Sequence, residues 1–378
     1  MGKDKIYGWK GLREVNGEFR SEFGNKPYVP GRTYRLPKGQ HPEACKRGFH
    51  FGKKLCDVLS YCPPNDSAYV FARVSASGEM DVVDTVDDRK VAASSITIKE
   101  KPGSLAGIVS GIVSIATTLP GADDYYYVAD DMNILRGDNQ YQACAMPEVY
   151  MRVDGRHSVG VLRGANSLGY IQDGMHAYSA IFSAGSNSYV LCDGDECLAC
   201  VSGARSKAEA RGRRSVAVSL GDCGVAQADV AQSVAVSLNY ARAVTDGAVA
   251  LGVYEAEAAN GAVALKSGHT YGSVRARNKA SAISLPTADM TPNSSGQARG
   301  ELGTTLLLGF NYRGVNCWYT LFVDGELIRP DTSYYVASGK LRVMSLQQPD
   351  AGIMARLARI KPVPTMEEVD KLCAGLNK

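Results

Sequence analysis

The middle of this 378-residue chain repeats itself. Ser215-Val-Ala-Val-Ser-Leu220 returns as Ser233-Val-Ala-Val-Ser-Leu238, then as Ala248-Val-Ala-Leu251, Ala262-Val-Ala-Leu265 and Ser281-Ala-Ile-Ser-Leu285. From Val216 the copies step by 18, 15 and 14 residues. Half-repeats fall between them at Lys207-Ala-Glu-Ala210, Val225-Ala-Gln-Ala228, Arg242-Ala-Val244 and Glu257-Ala-Ala259, so the unit is about seven to nine residues, one short strand and one turn.

Within a unit, alternation sends successive side chains to opposite faces, and a face of Ala, Ser and Gly lets backbones pack closely. One such unit buries too little to fold. Stacked units must share a continuous core closed by non-repetitive ends, which predicts a parallel β-solenoid or β-roll over 151–300. Gly and Asp-Gly pairs such as Asp193-Gly194 and Asp246-Gly247 mark the corners. Degenerate turns at Ser158-Val-Gly-Val161 and Ala177-Tyr-Ser-Ala-Ile181 extend the array toward Arg156.

The flanks divide by pattern into an α+β head (1–100), an apolar helix with an acidic connector (101–150), a β-hairpin cap (301–346) and a tail with a short helix (347–378). The chain as a whole is expected to be mainly β. In the cap, Leu306-Leu-Leu308, Trp318-Tyr-Thr-Leu-Phe-Val323 and Tyr334-Tyr-Val336 are strand runs, with Asp324-Gly325 read as a hairpin junction. Thr365-Met-Glu-Glu368 is a capping box opening a helix to about Leu376.

Charge is nearly balanced, 42 Lys plus Arg against 39 Asp plus Glu, so neither a nucleic-acid nor a membrane-surface partner is expected. The N-terminus lacks the apolar stretch of a secretory signal, and ten scattered cysteines lack the density of a disulfide scaffold; both point to a reducing cytoplasm. Residues 103–122 are uncharged, with Gly103, Gly107 and Gly111 at G-x-x-x-G spacing. Gly, Ser and Thr fill about half of the run, which favours a buried helix over a membrane span. Cys192, Cys197 and Cys200, with Cys223, have the spacing of a plant-type iron–sulfur set, but inside a repeat they read as small apolar residues, and no metal is expected.

The Ser-Val-Ala-Val-Ser and Ala-Val-Ala-Leu-Gly turns resemble the head repeats of trimeric autotransporter adhesins, a left-handed β-roll, which implies a homotrimer. The layout also resembles a family of phage and prophage proteins with no assigned activity. These join a small Gly-Phe-His-containing head to Ala/Ser repeats and a Val-Asp-Gly hairpin. That resemblance implies a host or virion protein partner, and a place in the host cytoplasm or the virion.

In the head, Gly48-Phe-His-Phe-Gly-Lys-Lys-Leu-Cys-Asp-Val-Leu-Ser-Tyr61 and the strand Ala68 to Gly78 resemble the nicotinamide-binding core of ADP-ribosyltransferases. The resemblance places His50 and Phe51 on the family's Tyr-Phe, and Tyr61 on the Tyr that stacks on nicotinamide. Lys10-Gly11 falls on the His-Gly that grips the NAD ribose and amide. It thus implies an NAD site of Lys10, Gly11, His50 and Tyr61. Lys10 departs from the family's His or Arg, and no residue takes the catalytic Glu position, Glu100 being the nearest late-strand carboxylate. Read without the resemblance, Phe49 and Phe51 are core residues and His50 is a satisfied polar group beside a turn. Two functions therefore stay open: a structural or interaction protein whose solenoid displays the head, and an active NAD-dependent ADP-ribosyltransferase.

Overall fold

The computed structural model describes residues 5–84, 89–105, 107–109, 132–135, 138–172, 178–245, 247–266, 273–285, 295–344 and 351–376. The fold is mainly β, with a parallel β-solenoid built from a 12-stranded and an 11-stranded sheet among the described residues. The chain divides into two compact units, one of 1–172, 180–191 and 201–207, the other of 173–179, 192–200 and 208–378.

The first unit begins with the head. Strands β1 (Ile6–Val15), β2 (Glu18–Arg20), β3 (Pro27–Tyr28), β4 (Thr33–Arg35) and β5 (Phe49–Phe51) precede the short helix α1 (Leu55–Leu59). Two long strands, β6 (Tyr69–Asp84) and β7 (Arg89–Ile98), complete an antiparallel sheet of order β3-β2-β1-β6-β7-β4, with β5 also on β7. Alternation along β1 puts Trp9 and Leu12 in different cores. Leu12 joins Phe49, Phe51, Val74, Ile96 and Ile98 on one face. Trp9 joins Leu55, Val58 and Leu59 of α1 on the other, where the cluster continues into Leu105, Val109, Tyr150, Leu168, Tyr170, Tyr189 and Leu191.

Those last five residues belong to the first coils, which start earlier than residue 151. Met132–Leu135 pairs in parallel with Tyr150–Val153, and Tyr141–Cys144 with Val159–Leu162. The expected connector 101–150 thus gives up its last part to the solenoid, and most of the apolar run 103–122 lies outside the described residues. Among the described residues, no helix is long and apolar enough to cross a membrane.

In the second unit the repeats align as their sequence predicts. Val216 pairs with Val234, Val234 with Val249, and Val249 with Val263, each in parallel. Four-residue strands alternate between the two sheets. The second and fourth residues of each point inward, so the interior is lined by fully buried alanines such as Ala217, Ala226, Ala235, Ala241 and Ala264. Outward columns differ sharply between the sheets. One carries Val216, Val218, Val234, Val236, Val249, Leu251, Val263 and Leu265; the other carries Gln227, Arg242, Glu257, Arg275 and Arg299 at the third position of its strands and a mixed Val225, Tyr240, Glu255, Ser273 and Gln297 at the first. Glu257 lies 3.2 Å from Arg277 and 3.9 Å from Arg242, so the stacked charges compensate one another.

The corners follow a rule that the Asp-Gly reading missed. They read Gly-x-x-Ser at Gly155 to Ser158, Gly164 to Ser167, Gly185 to Ser188, Gly203 to Ser206 and Gly212 to Ser215. The residue before each serine is left-handed, as at Asn166 (φ 55°), Arg205 (φ 54°) and Arg214 (φ 56°). The serine is fully buried and works twice. Ser206 Oγ accepts the N–H of Ser188 at 3.0 Å and donates to the Gly185 carbonyl at 3.1 Å; Ser215 Oγ does the same to Cys197 and Gly194. Buried backbone groups at each corner thereby find partners without water.

Two antiparallel hairpins close the sheets. Thr305–Tyr312 continues one sheet and turns back through Val315–Phe322; Ser333–Ala337 and Lys340–Met344 close the other. Their turns are Arg313-Gly314 and Ser338-Gly339, both at positive φ, rather than Asp324-Gly325. Asp324 instead nests three backbone N–H groups, of Glu326, Leu327 and Ile328, on one carboxylate oxygen. The tail holds a helix not foreseen, α2 (Ala351–Leu357), and the expected α3 (Met366–Leu376). The latter opens with Glu368 accepting the Thr365 N–H at 2.7 Å, as the capping box requires.

Candidate functional site in the head

Lys10 lies on β1 and is almost wholly buried. Its ammonium donates to the His50 carbonyl at 2.7 Å and stands 5.2 Å from the centre of the Tyr28 ring. Burial pulls its pKa down to about 8, opposed by Cys62 and assisted by Lys26. A pKa near 8 leaves roughly a tenth of the amine neutral at pH 7.

His50 is on β5 between two core rings, Phe49 and Phe51, and is itself half-buried. Its Nε2 accepts the Cys45 N–H at 3.1 Å. Burial, then Lys10 and Lys90, lower its pKa, so the ring is neutral at pH 7 with its proton assigned to Nδ1. The bland reading of these residues is met: the phenylalanines are core and the imidazole has a partner.

Tyr61 follows α1 and is partly exposed. The Lys90 ammonium donates to its hydroxyl at 3.1 Å and lies 5.1 Å from its ring centre. Lys90 was not a sequence candidate. It reaches this place because β5 pairs with β7 through His50 and Ala92, which puts residue 90 on the same face as His50. No local motif announces it, since the two lysines are 80 positions apart.

Lys10 thus reaches the His50 backbone and Lys90 the Tyr61 hydroxyl, and both ammonium groups disfavour a charged His50 imidazole. These residues can attract an anion and offer one face for stacking. Gly11 has a different neighbourhood. A methyl at this position would lie 2.3 Å from Cys62 Sγ and 3.1 Å from Val58, so close packing against the end of α1 is what requires glycine. Glu100 is paired with Arg73 at 3.1 Å.

Beside Lys10, Tyr28 and Tyr34 meet edge to face at 4.9 Å, and the Lys26 ammonium stands 4.4 Å from the centre of Phe49. Lys10 and Lys26 thus each stand against a ring of this aromatic group. Among the described residues, no group of three or more His, Cys, Asp or Glu is placed to hold a metal ion, the Cys192, Cys197 and Cys200 set included.

Comparison with curated proteins and with solved structures gives no match. Residues 9–110, from Trp9 on β1 to just beyond Val109, match a domain family of unknown function (DUF7666), a stretch that contains Lys10, Gly11, His50, Tyr61 and Lys90.

Proposed function

We propose that the chain is a structural or interaction protein of phage or prophage type, in which the solenoid is a spacer that displays the head to a host or virion protein. It would act in the host cytoplasm or in the virion. One observation supports this above others: the head has no separate base. Trp9, Leu55, Leu59 and Phe71 share a single apolar cluster with Tyr150, Tyr170 and Tyr189 of the first coils, so the head is held by core packing and not by a linker. A homotrimer is the assembly we favour, through the valine and leucine columns of Val216 to Leu265, which leave apolar side chains half-buried on one sheet, whereas the third-position column of the other sheet holds Gln227, Arg242, Glu257, Arg275 and Arg299. Sedimentation equilibrium of the full chain at micromolar concentration tests it: three protomers are expected, reduced to one in Val236→Asp/Leu251→Asp. A wild-type monomer would overturn the trimer.

The alternative is an NAD-dependent ADP-ribosyltransferase head, favoured by the contacts of Lys10 with the His50 backbone and of Lys90 with the Tyr61 hydroxyl. In that reading nicotinamide lies on Tyr61. Stacking contributes about 0.5–1.5 kcal/mol beyond burial, so Tyr61→Ala is expected to weaken NAD up to about tenfold and Tyr61→Phe to change little. Calorimetric titration of the full chain measures it, and no heat at millimolar NAD would reject this reading.

A further inference from the structure

Each Gly-x-x-Ser corner buries two side chains: the last residue of the strand before it and the serine that ends it. The pairs include Val153 with Ser158, Leu162 with Ser167, Val201 with Ser206 and Ala210 with Ser215, and none of these is more than 2% exposed. In the corner Gly194-Asp-Glu-Cys197 both positions are cysteine. Cys192 ends its strand, Cys197 takes the serine's place, and both are buried and reduced.

The two thiols influence one another's titration, Cys192 being pushed up chiefly by burial and Cys197 pulled down chiefly by Cys192. Cys197 Sγ also reaches the Asp195 carbonyl at 3.3 Å and Cys192 Sγ the Gly194 carbonyl at 3.5 Å, so both sulfurs sit inside the same turn. The Cys197 N–H keeps the bond to Ser215 Oγ that a serine corner makes. Backbone geometry is therefore that of the other corners, with a sulfur pair added. Plain packing does not call for this, since Ala, Val, Leu and Ser serve equally well at the same positions elsewhere.

We propose that Cys192 and Cys197 are a reversible oxidation site, closing to a disulfide that staples this corner of the solenoid when the chain meets a peroxide. The Cys197 thiolate attacks one peroxide oxygen, the O–O bond breaks, and the leaving hydroxide is protonated to water, giving a Cys197 sulfenic acid. The Cys192 thiol then attacks that sulfur, the S–S bond forms, and the sulfenic hydroxyl leaves with the thiol proton as a second water. Two thiols are oxidised by two electrons and one peroxide is reduced to two waters. The order of roles follows from electrostatics: Cys192 holds Cys197 below the usual thiol range, whereas burial pushes Cys192 up. Asp195 and Glu196, the two residues of the turn before Cys197, are both half-buried.

The test uses the full chain carrying Cys200→Ala, which removes the half-buried thiol that shares a tryptic peptide with the pair. Reduced protein is exposed to hydrogen peroxide until Cys45 and Cys223, both exposed, are fully oxidised. It is then unfolded, alkylated and digested. The peptide spanning 164–205 is expected to be lighter by two hydrogens and closed to alkylation. Dithiothreitol should return both thiols, and Cys197→Ser, the residue the sister corners carry, should leave Cys192 open to alkylation. Recovery of Cys192 and Cys197 both alkylated, or of Cys197 as a sulfinic acid beside an alkylated Cys192, would overturn the proposal.

Discussion

Gly185→Ala is expected to unfold the early coils. A methyl there would lie 1.8 Å from the Gly164 carbonyl oxygen, and a methyl at Gly203 would lie 2.0 Å from that of Gly185. The corner glycines are stacked on one another's backbones. Nothing nearby can give, because the same corner is tied to its neighbours by Asn166 N–H to the Ser186 carbonyl at 2.8 Å and Asn187 N–H to the Ala204 carbonyl at 2.9 Å. A clash with a flexible side chain would be relieved by rotation; a clash with a carbonyl must spread the coils. The expected cost is at or above about 3 kcal/mol, the upper end for overpacking, and a large share of a typical domain's stability. Gly103→Ala is the control, since its methyl would meet only Ile108 at 3.8 Å. Urea unfolding followed by circular dichroism should separate the two variants clearly, and coincident midpoints would refute the stacking argument.

Trp9→Ala should be nearly as damaging, for a different reason. The indole is 4% exposed in a cluster that also contains Leu55, Leu59 and Phe71 of the head and Tyr150, Tyr170 and Tyr189 of the coils. Truncating a buried aromatic costs about 3–5 kcal/mol through lost transfer energy and the cavity left behind. Because head and coils share the cluster, the loss should not stay in the head. Hydrogen exchange is expected to accelerate in both 55–62 and 150–171. Acceleration confined to 55–62 would mean that the two regions fold independently, and would remove the main support for a displayed head.

How far the sequence alone leads varies along the chain. From Val216 to Leu265 it leads all the way to register, because identical short strands can stack only one way if their alanines are to stay inside. The first coils were harder to see. Tyr170 and Leu191 stand where later coils carry Glu209, Gln227 and Arg242, since here the coils also pack against the head, and periodicity fades where a repeat serves two cores. The serine corners were visible as Gly-x-x-Ser, but their reason is not local: the hydroxyls of Ser158, Ser188, Ser206 and Ser215 each serve a backbone group 18 or 21 residues earlier. In the head, the motif led to His50 and Tyr61, and Lys10 proved to touch the His50 backbone. Lys90 required the β5–β7 register, which no spacing in the sequence reveals. Gly11, which the resemblance reads as part of an NAD grip, also packs closely against Cys62, a contact that only three dimensions reveal.

The alternation of strands between two unlike sheets sets a parity rule on this protein's length. Removing one strand with its turn would hand every later strand to the opposite sheet. Leu251 and Leu265, the third residues of their strands, would then enter the column now held by Arg242, Glu257 and Arg275, and those charges would enter the column of Val236, Leu251 and Leu265. Removing two strands restores every column and every corner. Variants of the solenoid should therefore differ by even numbers of strands, and a spacer of this construction can be lengthened or shortened only in whole coils.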